Sequence, residues 1–460
     1  MTNRDSQSEF LSEIQTSQVQ PIEPVFVDYK KDMSQFEAQP GIDVLYKKNE
    51  TNDIFTLIYV FNTGTENDPA LNLAFNYLSY LGTDKMTAEE IASEMYDIAC
   101  SFYMNAGANQ SSIQITGLSE NMGKAMEIVE GLIAGAKPDE AILENCKADM
   151  LKSRADAKLN QSRCFGALQR YLFYGGDFIR RTTLTDPALQ ALTSEQLLAK
   201  IGGLMGKQHE VLYYGPQKEA EVKSALAEHH KVAADLQPLE KKFSTLLPTD
   251  ANKVVLAQYD AKQLYYLQFS NRGEKFDVAA DPEITLYNEY FGGGMNTIVF
   301  QEMREARGLA YTAWATLATP SNANGDYSYY AFIATQNDKM QKAVEAFDDI
   351  INNMPESEKA FGIAKEALVS RLRTERTVKD GVLWSYLRAR DLGLDAPRDK
   401  QIFEKVQSMT LDDVKAAQQK WVKGRKYVYG ILGDIQDLDL NYLKTLGPIQ
   451  TVSQEEIFGY

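Results

Sequence analysis

The side chains that most often bind metals or act as bases are scarce in this 460-residue chain, which has histidine only at His209, His229 and His230. No two of them are four residues apart, the spacing that places two imidazoles on one helical face for zinc. We therefore interpret them as surface or edge residues. The sequence also contains no nucleophile-elbow, P-loop or dinucleotide-binding motif.

The cysteines, Cys100, Cys146 and Cys164, are odd in number and form no C-x-x-C pair. This spacing predicts neither a disulfide framework nor a cysteine zinc site. We interpret the three residues as buried or inert thiols.

The most informative segment is YFGGGMNTIVFQEMREARGLAYTAWA, which begins at Tyr290. Its glycines, Gly292 to Gly294, allow a close backbone approach or positive φ. They precede a helix predicted over about 295–306, which Gly308 ends before a strand LAYTAWA. Three side chains of this helix are predicted to face the core: Ile298, Val299 and Met303. A glycine turn before a helix is only a weak indication of an anion site, and a packing unit explains it equally.

Alternating and helical patterns predict the elements that position these residues. Strands are predicted at 41–48, 53–64 and 111–118, the second with Phe55, Leu57, Tyr59 and Phe61 on one face. Helices are predicted from Asp68 to about Leu81, after a Thr87–Glu90 capping box, and from 121 to 174 with a break near 135–138.

The pattern then repeats. Lys124-Ala125 and Lys342-Ala343 occupy equivalent helices 218 residues apart, and Thr193 and Thr410 begin similar helices 217 residues apart. This period is too long for a solenoid and indicates two copies of one α+β domain. We predict a leader (1–25), a first repeat (26–235), a linker (236–253) and a second repeat (254–460). Each repeat is expected to be an antiparallel-rich sheet packed with helices.

Composition limits the possible partners. The net charge of −16 argues against nucleic acid and against anionic membrane surfaces. No apolar run is long enough to span a membrane, and the first twenty residues have no signal-peptide core. We expect a soluble protein of undetermined compartment.

The run FGGGMN…FQEMREARGLAYTA resembles the signature of the insulinase/pitrilysin family of zinc metallopeptidases, in the second domain of a half-molecule. The family also includes mitochondrial processing peptidases and respiratory-complex core subunits. Halves in this family are tandem α+β repeats, so the resemblance covers most of residues 26–450. It implies that Arg304 and Tyr311, seven residues apart, reach a composite active site and contact substrate.

The same resemblance implies that a catalytic half would hold zinc on an H-x-x-E-H motif in its first helix. Aligned through Gly82-Thr83, the five motif positions are Leu73, Ala74, Phe75, Asn76 and Tyr77. None of these residues supplies the imidazoles or the glutamate base. Glu144 lies near the expected distal carboxylate. The chain therefore resembles the non-catalytic half.

These features predict no catalytic residue, no metal and no activity for the chain alone. We expect a partner half that carries zinc, as a separate subunit or as part of a longer polypeptide, and a peptide substrate bound between the halves. An acidic chamber would favour basic or neutral peptides. Two alternatives remain: a structural or assembly subunit without a proteolytic role, and an enzyme that uses an unrelated site.

Overall fold

The computed structural model describes residues 8–17 and 20–460, apart from the side chain of Gln15. The predicted leader therefore lies partly outside the described residues, and its described part contains one helix, α1 (Glu9–Thr16). Across the described residues, no helix is long and apolar enough to cross a membrane.

The first unit of the fold comprises residues 29–229. Its strands are β1 (Ser34–Gln39), β2 (Ile42–Lys48), β3 (Ile54–Phe61), β4 (Cys100–Ala106), β5 (Ser111–Leu118) and β6 (His209–Gly215). Its helices are α2 (Tyr29–Asp32), α3 (Leu71–Leu78), α4 (Ala88–Asp97), α5 (Met122–Gly135), α6 (Glu140–Lys158), α7 (Gln161–Thr182), α8 (Asp186–Gln190), α9 (Ser194–Leu204) and α10 (Glu219–His229).

The second unit comprises residues 253–458. Its strands are β7 (Lys253–Gln258), β8 (Gln263–Ser270), β9 (Thr312–Ala318), β10 (Ser328–Gln336), β11 (Val428–Gly433) and β12 (Ile449–Val452). Its helices are α11 (Asp281–Phe291), α12 (Ile298–Phe300), α13 (Met340–Asn352), α14 (Glu358–Thr374), α15 (Gly381–Asp391), α16 (Arg398–Val406), α17 (Leu411–Ala417), α18 (Leu440–Leu446) and α19 (Gln454–Phe458). Two π-helices, Gln301–Ala306 and Gln418–Val422, continue α12 and α17.

The two sheets share the arrangement of five strands and differ at one edge, where β1 pairs antiparallel with β2 but β12 pairs parallel with β7. The strand order is β1-β2-β6-β3-β5-β4 in the first and β12-β7-β11-β8-β10-β9 in the second. In each sheet one central pair is parallel, β2 with β6 and β7 with β11, while the next three pairings are antiparallel. This confirms the predicted α+β fold class with two tandem sheets packed with helices.

Most predicted elements form, but three helical predictions differ from the structure. The stretch predicted over 121–174 with one break consists of three helices, with a second break at 159–160 and an end at Thr182. The helix expected from Asp68 begins only at Leu71, because the Asp68 carboxylate accepts a hydrogen bond from Ala70 N–H in a preceding turn. The helix expected over 295–306 becomes a short α-helix followed by a π-helix, and the next strand begins at Thr312 instead of Leu309. The Thr87–Glu90 capping box forms as predicted.

Both faces of each sheet's central strands are buried, and this explains their nearly continuous apolar sequences. On β3, Phe55 and the alternate residues face the helices of their own unit. The opposite face of β3, with Ile58 and Val60, packs against Val382 and Leu383 of α15 in the second unit. The first sheet is therefore completed by a helix from the other unit.

The second sheet is completed in the same way by a helix of the first unit. Phe165, Leu168 and Leu172 of α7 pack against the second sheet, where Phe332 forms part of the contact. A bidentate ion pair between Arg390 of α15 and Glu210 of β6 also joins the units. The two units thus share part of their cores, because one face of each sheet packs against a helix of the other unit.

Leu168→Ala tests how much stability is supplied by the packing of α7 of the first unit against the sheet of the second. Leu168 is fully buried, so we expect a loss of about 2–5 kcal/mol in the free energy of unfolding, measured by urea denaturation. Leu159→Ala is the control, since that leucine is 79% exposed. Equal stability of the two variants would show that the shared core contributes little.

Asp348 of α13 is a carboxyl group buried inside the second unit. Its Oδ1 accepts a hydrogen bond of 3.0 Å from the Gln268 amide on β8. Burial raises the pKa of Asp348 to about 6, since the ionised form loses its hydration. Burial raises the pKa of the neighbouring Tyr266 and Tyr429 hydroxyls, and the negative charge of Asp348 raises it further. The folded state therefore favours protonated Asp348.

Asp348→Asn should stabilise the protein at high pH. The pKa of Asp348 is about 6 in the folded protein against an ordinary 3.8, so native stability falls as pH rises between these values. The variant should gain roughly 3 kcal/mol at pH 8 and nothing near pH 4 in pH-dependent urea unfolding. Asp349→Asn is the control, because its exposed carboxylate has a lowered pKa beside Asn353 and should give no such gain. A gain that is independent of pH would contradict this assignment.

Candidate functional site

The position expected for a zinc motif lies on α3 and is part of the apolar core. Leu73, Ala74, Phe75 and Tyr77 are buried, and only Asn76 faces solvent. These side chains offer no imidazole or carboxylate for a metal ion. The residues present do not fit zinc at this position.

Tyr77, at the place of the second motif histidine, is used for structure. Its hydroxyl accepts a hydrogen bond of 2.8 Å from Asp139 N–H and lies 2.9 Å from Ser194 Oγ. Ser194 in turn donates to Glu140 Oε1 at 2.7 Å. The tyrosine therefore joins α3 to the first residues of α6 and α9.

Glu144, near the expected distal carboxylate, is an exposed side chain whose Oε1 lies 2.9 Å from Lys147 Nζ. Among residues 8–17 and 20–460, no group of three or more histidine, cysteine, aspartate or glutamate side chains is placed to hold a metal ion.

Tyr77→Phe should destabilise the protein by about 1–3 kcal/mol, because the partly buried Asp139 N–H loses its partner and the buried Ser194 Oγ loses one of two. Thermal unfolding would measure the loss. Tyr80→Phe provides a control just beyond the same helix, since Tyr80 is 55% exposed. If Tyr77→Phe is as stable as the control, the hydroxyl contributes nothing to the core.

Two histidines differ from the sequence-based interpretation. His209 and His230 are only 4% and 3% exposed, so their assignment to the surface or an edge is wrong. His209 begins β6, which lies between β2 and β3 in the sheet. The polar neighbours of these histidines in the sequence gave no signal of this burial. His229 lies nearer the surface, with Nδ1 3.1 Å from Glu127 Oε1.

His209, His230 and Glu130 form a buried hydrogen-bonded chain. His209 Nδ1 donates to the Lys207 carbonyl at 2.7 Å, so its Nε2 must accept from His230 Nε2, 2.9 Å away. His230 Nδ1 lies 2.7 Å from Glu130 Oε1, within hydrogen-bonding distance. Burial, together with His230, lowers the pKa of His209 to about 3. The chain is thus satisfied internally and fixes the end of the first unit.

The glycine run has a packing role at Gly292. A Cβ at this position would lie 1.9 Å from the Ala315 carbonyl oxygen, so only glycine permits the approach. Ala315 N–H donates to the Gly292 carbonyl at 2.9 Å, and the Asn288 side chain pairs with both backbone groups of Leu317. These hydrogen bonds therefore satisfy backbone groups on the outer edge of β9, which would otherwise be unpaired.

The structure brings Arg304 and Tyr311 together. The Arg304 guanidinium carbon lies 5.3 Å from the centre of the Tyr311 ring and 5.0 Å from that of Phe300. Tyr311 is 69% exposed, which excludes a role as a buried strand residue. The nearest acidic contact of Arg304 is Glu305, whose Oε1 lies 4.0 Å from Nε.

Arg307, one turn further along, makes different contacts. Its guanidinium lies 3.5 Å from Glu302 and 3.4 Å from Asp349, so carboxylates use its donors. Arg304 lies against aromatic rings, whose faces attract the cation. The rings do not accept hydrogen bonds from the N–H groups that lie in the plane of the guanidinium. Its donor fork is therefore available to a carbonyl or carboxylate of a ligand.

The two repeats differ at the place that carries this pair. In the first unit Ala99, with φ of 51°, is followed directly by β4 at Cys100. In the second unit Gly308, with φ of 60°, is followed by three further residues before β9 begins at Thr312. Tyr311 is the last of these three. The added residues, together with the π-helix before them, present Tyr311 and Arg304 to solvent.

Comparison with known proteins agrees with this architecture. Residues 208–368 match the family model of the Peptidase M16 inactive domain. A relative named "Uncharacterized zinc protease" from Rickettsia bellii (strain RML369-C) is 23% identical over 312 residues, 65% of this chain and 70% of that protein.

Solved structures share the fold. A peptidase M16 inactive domain from Pseudomonas fluorescens is 18% identical, with a TM-score of 0.68, and the match covers 87% of this chain and 98% of that chain. The ferredoxin protease FusC, solved with Arabidopsis ferredoxin, is 13% identical with a TM-score of 0.68 over 91% of this chain, but only 47% of FusC.

The predicted resemblance is confirmed: part of the chain matches the Peptidase M16 inactive domain model, a relative is named a zinc protease, and an M16 inactive domain shares the fold. The degenerate motif on α3 agrees with this assignment. The roles of Arg304 and Tyr311 remain predictions.

Proposed function

We propose that this chain closes the substrate chamber of a zinc metallopeptidase and binds the peptide that a zinc-bearing partner half hydrolyses. The observation that carries the proposal is the exposed pair of Arg304 and Tyr311, in which the arginine retains unused donors. A surface arginine without function would more often pair with carboxylates, as Arg307 does.

Each side chain of the pair has a defined task in this proposal. The Arg304 fork donates to a carbonyl of the bound peptide and holds the chain in register. The Tyr311 hydroxyl donates to the oxygen of the scissile carbonyl as negative charge develops there. Hydrolysis itself belongs to the partner half, because α3 of this chain has no residue that can bind the metal or activate water.

In this proposal the chain has two domains, residues 26–235 and 254–460, and residues 236–253 link them. Segment 236–252 contains neither helix nor strand, which supports its assignment as a connector. The partner half is either part of the same longer polypeptide or a separate subunit. The match covers only 47% of FusC, so in that protein the fold occurs within a longer chain.

The proposal is tested by assembling the enzyme. The isolated chain should bind no stoichiometric zinc and cleave no peptide, and addition of a catalytic half should give peptidase activity. That half can be identified by an H-x-x-E-H motif in the flanking coding sequence. In the assembly, Arg304→Ala and Tyr311→Phe should each lower kcat/KM by about 10²-fold, the loss typical of a removed transition-state donor.

Two matched controls separate this effect from general surface changes. Arg307→Ala removes an arginine of the same helical segment, and Tyr103→Phe alters a tyrosine that is 65% exposed on the edge strand of the first unit. Both should retain activity. One tightly bound zinc in the isolated chain, or full activity of both Arg304→Ala and Tyr311→Phe, would overturn the proposal.

A further inference from the structure

We propose that Phe300 is a positioning residue that holds the Arg304 guanidinium toward the substrate, a role that rests on the proposed function. Phe300 precedes Arg304 by four residues, and its half-buried ring lies with its centre 5.0 Å from the guanidinium carbon. A spacing of four residues places two side chains on the same face of a helix.

The helix around Phe300 is fixed on its buried side. Ile298, Val299 and Met303 are buried in the core of the second unit, so the backbone that carries Phe300 and Arg304 cannot rotate freely. At Met303 the carbonyl accepts hydrogen bonds from Leu309 N–H at 2.9 Å and Ala310 N–H at 3.3 Å. These two bonds tie the loop that follows the π-helix Gln301–Ala306 back to its last turn, and π-helical segments are frequent at functional sites.

An aromatic support suits an arginine that must bind a ligand. A carboxylate in the place of Phe300 would hold the guanidinium but would also occupy its N–H donors, as Glu302 and Asp349 do for Arg307. A ring face attracts the cation through its quadrupole. The donors at the edge of the guanidinium then remain available.

Phe300 and Tyr311 differ in how firmly they are held. Tyr311 is 69% exposed and lies outside the regular strand, so its phenol is free to turn toward a peptide. Phe300 is half-buried on the helix. When Tyr311 leaves the guanidinium to contact the substrate, Phe300 continues to orient Arg304.

The test compares Phe300→Leu, which keeps apolar bulk but removes the ring, with Phe300→Tyr, which retains it. In the assembled enzyme Phe300→Leu should lower kcat/KM roughly three- to tenfold, the range of a partly exposed cation–π contact. Phe300→Tyr should restore it. In an Arg304→Ala background, Phe300→Leu should change kcat/KM less than twofold, because the group that it positions is gone. Equal losses in both backgrounds would overturn the proposal.

A second measurement needs no partner half. In the isolated chain, the Arg304 side-chain protons should show an upfield NMR shift from the Phe300 ring, retained in Phe300→Tyr and reduced in Phe300→Leu. If the shift is unchanged in Phe300→Leu, Phe300 does not position Arg304. If the shift responds as expected but the assembly cleaves no peptide, the proposed function fails while the contact stands.

Discussion

The structure depends on one constraint: each six-stranded sheet has two apolar faces, and each unit's own helices cover only one of them. The exchange of α7 and α15 between units covers the others. The fit is close, since a Cβ at Gly430 in the central strand β11 would lie 2.3 Å from Leu172 Cδ1 of α7. Because apolar strand faces cannot remain open to water at low cost, the two units form one stable structure.

The two repeats share the order and pairing of five strands but differ at two places besides the edge strands β1 and β12. On α3 of the first unit, the position of a metal motif is filled by Leu73 and Tyr77. At the entry to β9 of the second unit, three added residues and a π-helix expose Tyr311 beside Arg304. Elsewhere the common core limits change, since buried residues must keep their volume. The differences therefore lie where one repeat became purely structural and the other gained an exposed polar pair.

Much of the fold could be predicted from the sequence, because its signals are local. The offset of about 217 residues, the alternation along β3 and the Thr87–Glu90 box all follow from periodicity and capping. The burial of His209 could not be predicted, because it depends on β6 entering the middle of a sheet between strands distant in sequence. The contact of Phe300 with Arg304 agrees with their spacing of four residues, at which side chains meet on one face of a helix. The sequence does not show that the segment is π-helical, because a longer hydrogen-bonded turn leaves no clear trace in a helical pattern.

At the position of the metal motif on α3 the ligands are absent, and the residues in their place also form part of the core. Tyr77 satisfies the backbone N–H of Asp139 and lies within hydrogen-bonding distance of Ser194, and Leu73 is fully buried beside it. An imidazole at position 77 would be too short to reach both groups, and one at position 73 would be buried among apolar side chains. Restoring the ligands one by one would therefore destabilise the first unit before a complete site existed. The residues at these positions therefore make a metal site on α3 difficult to restore.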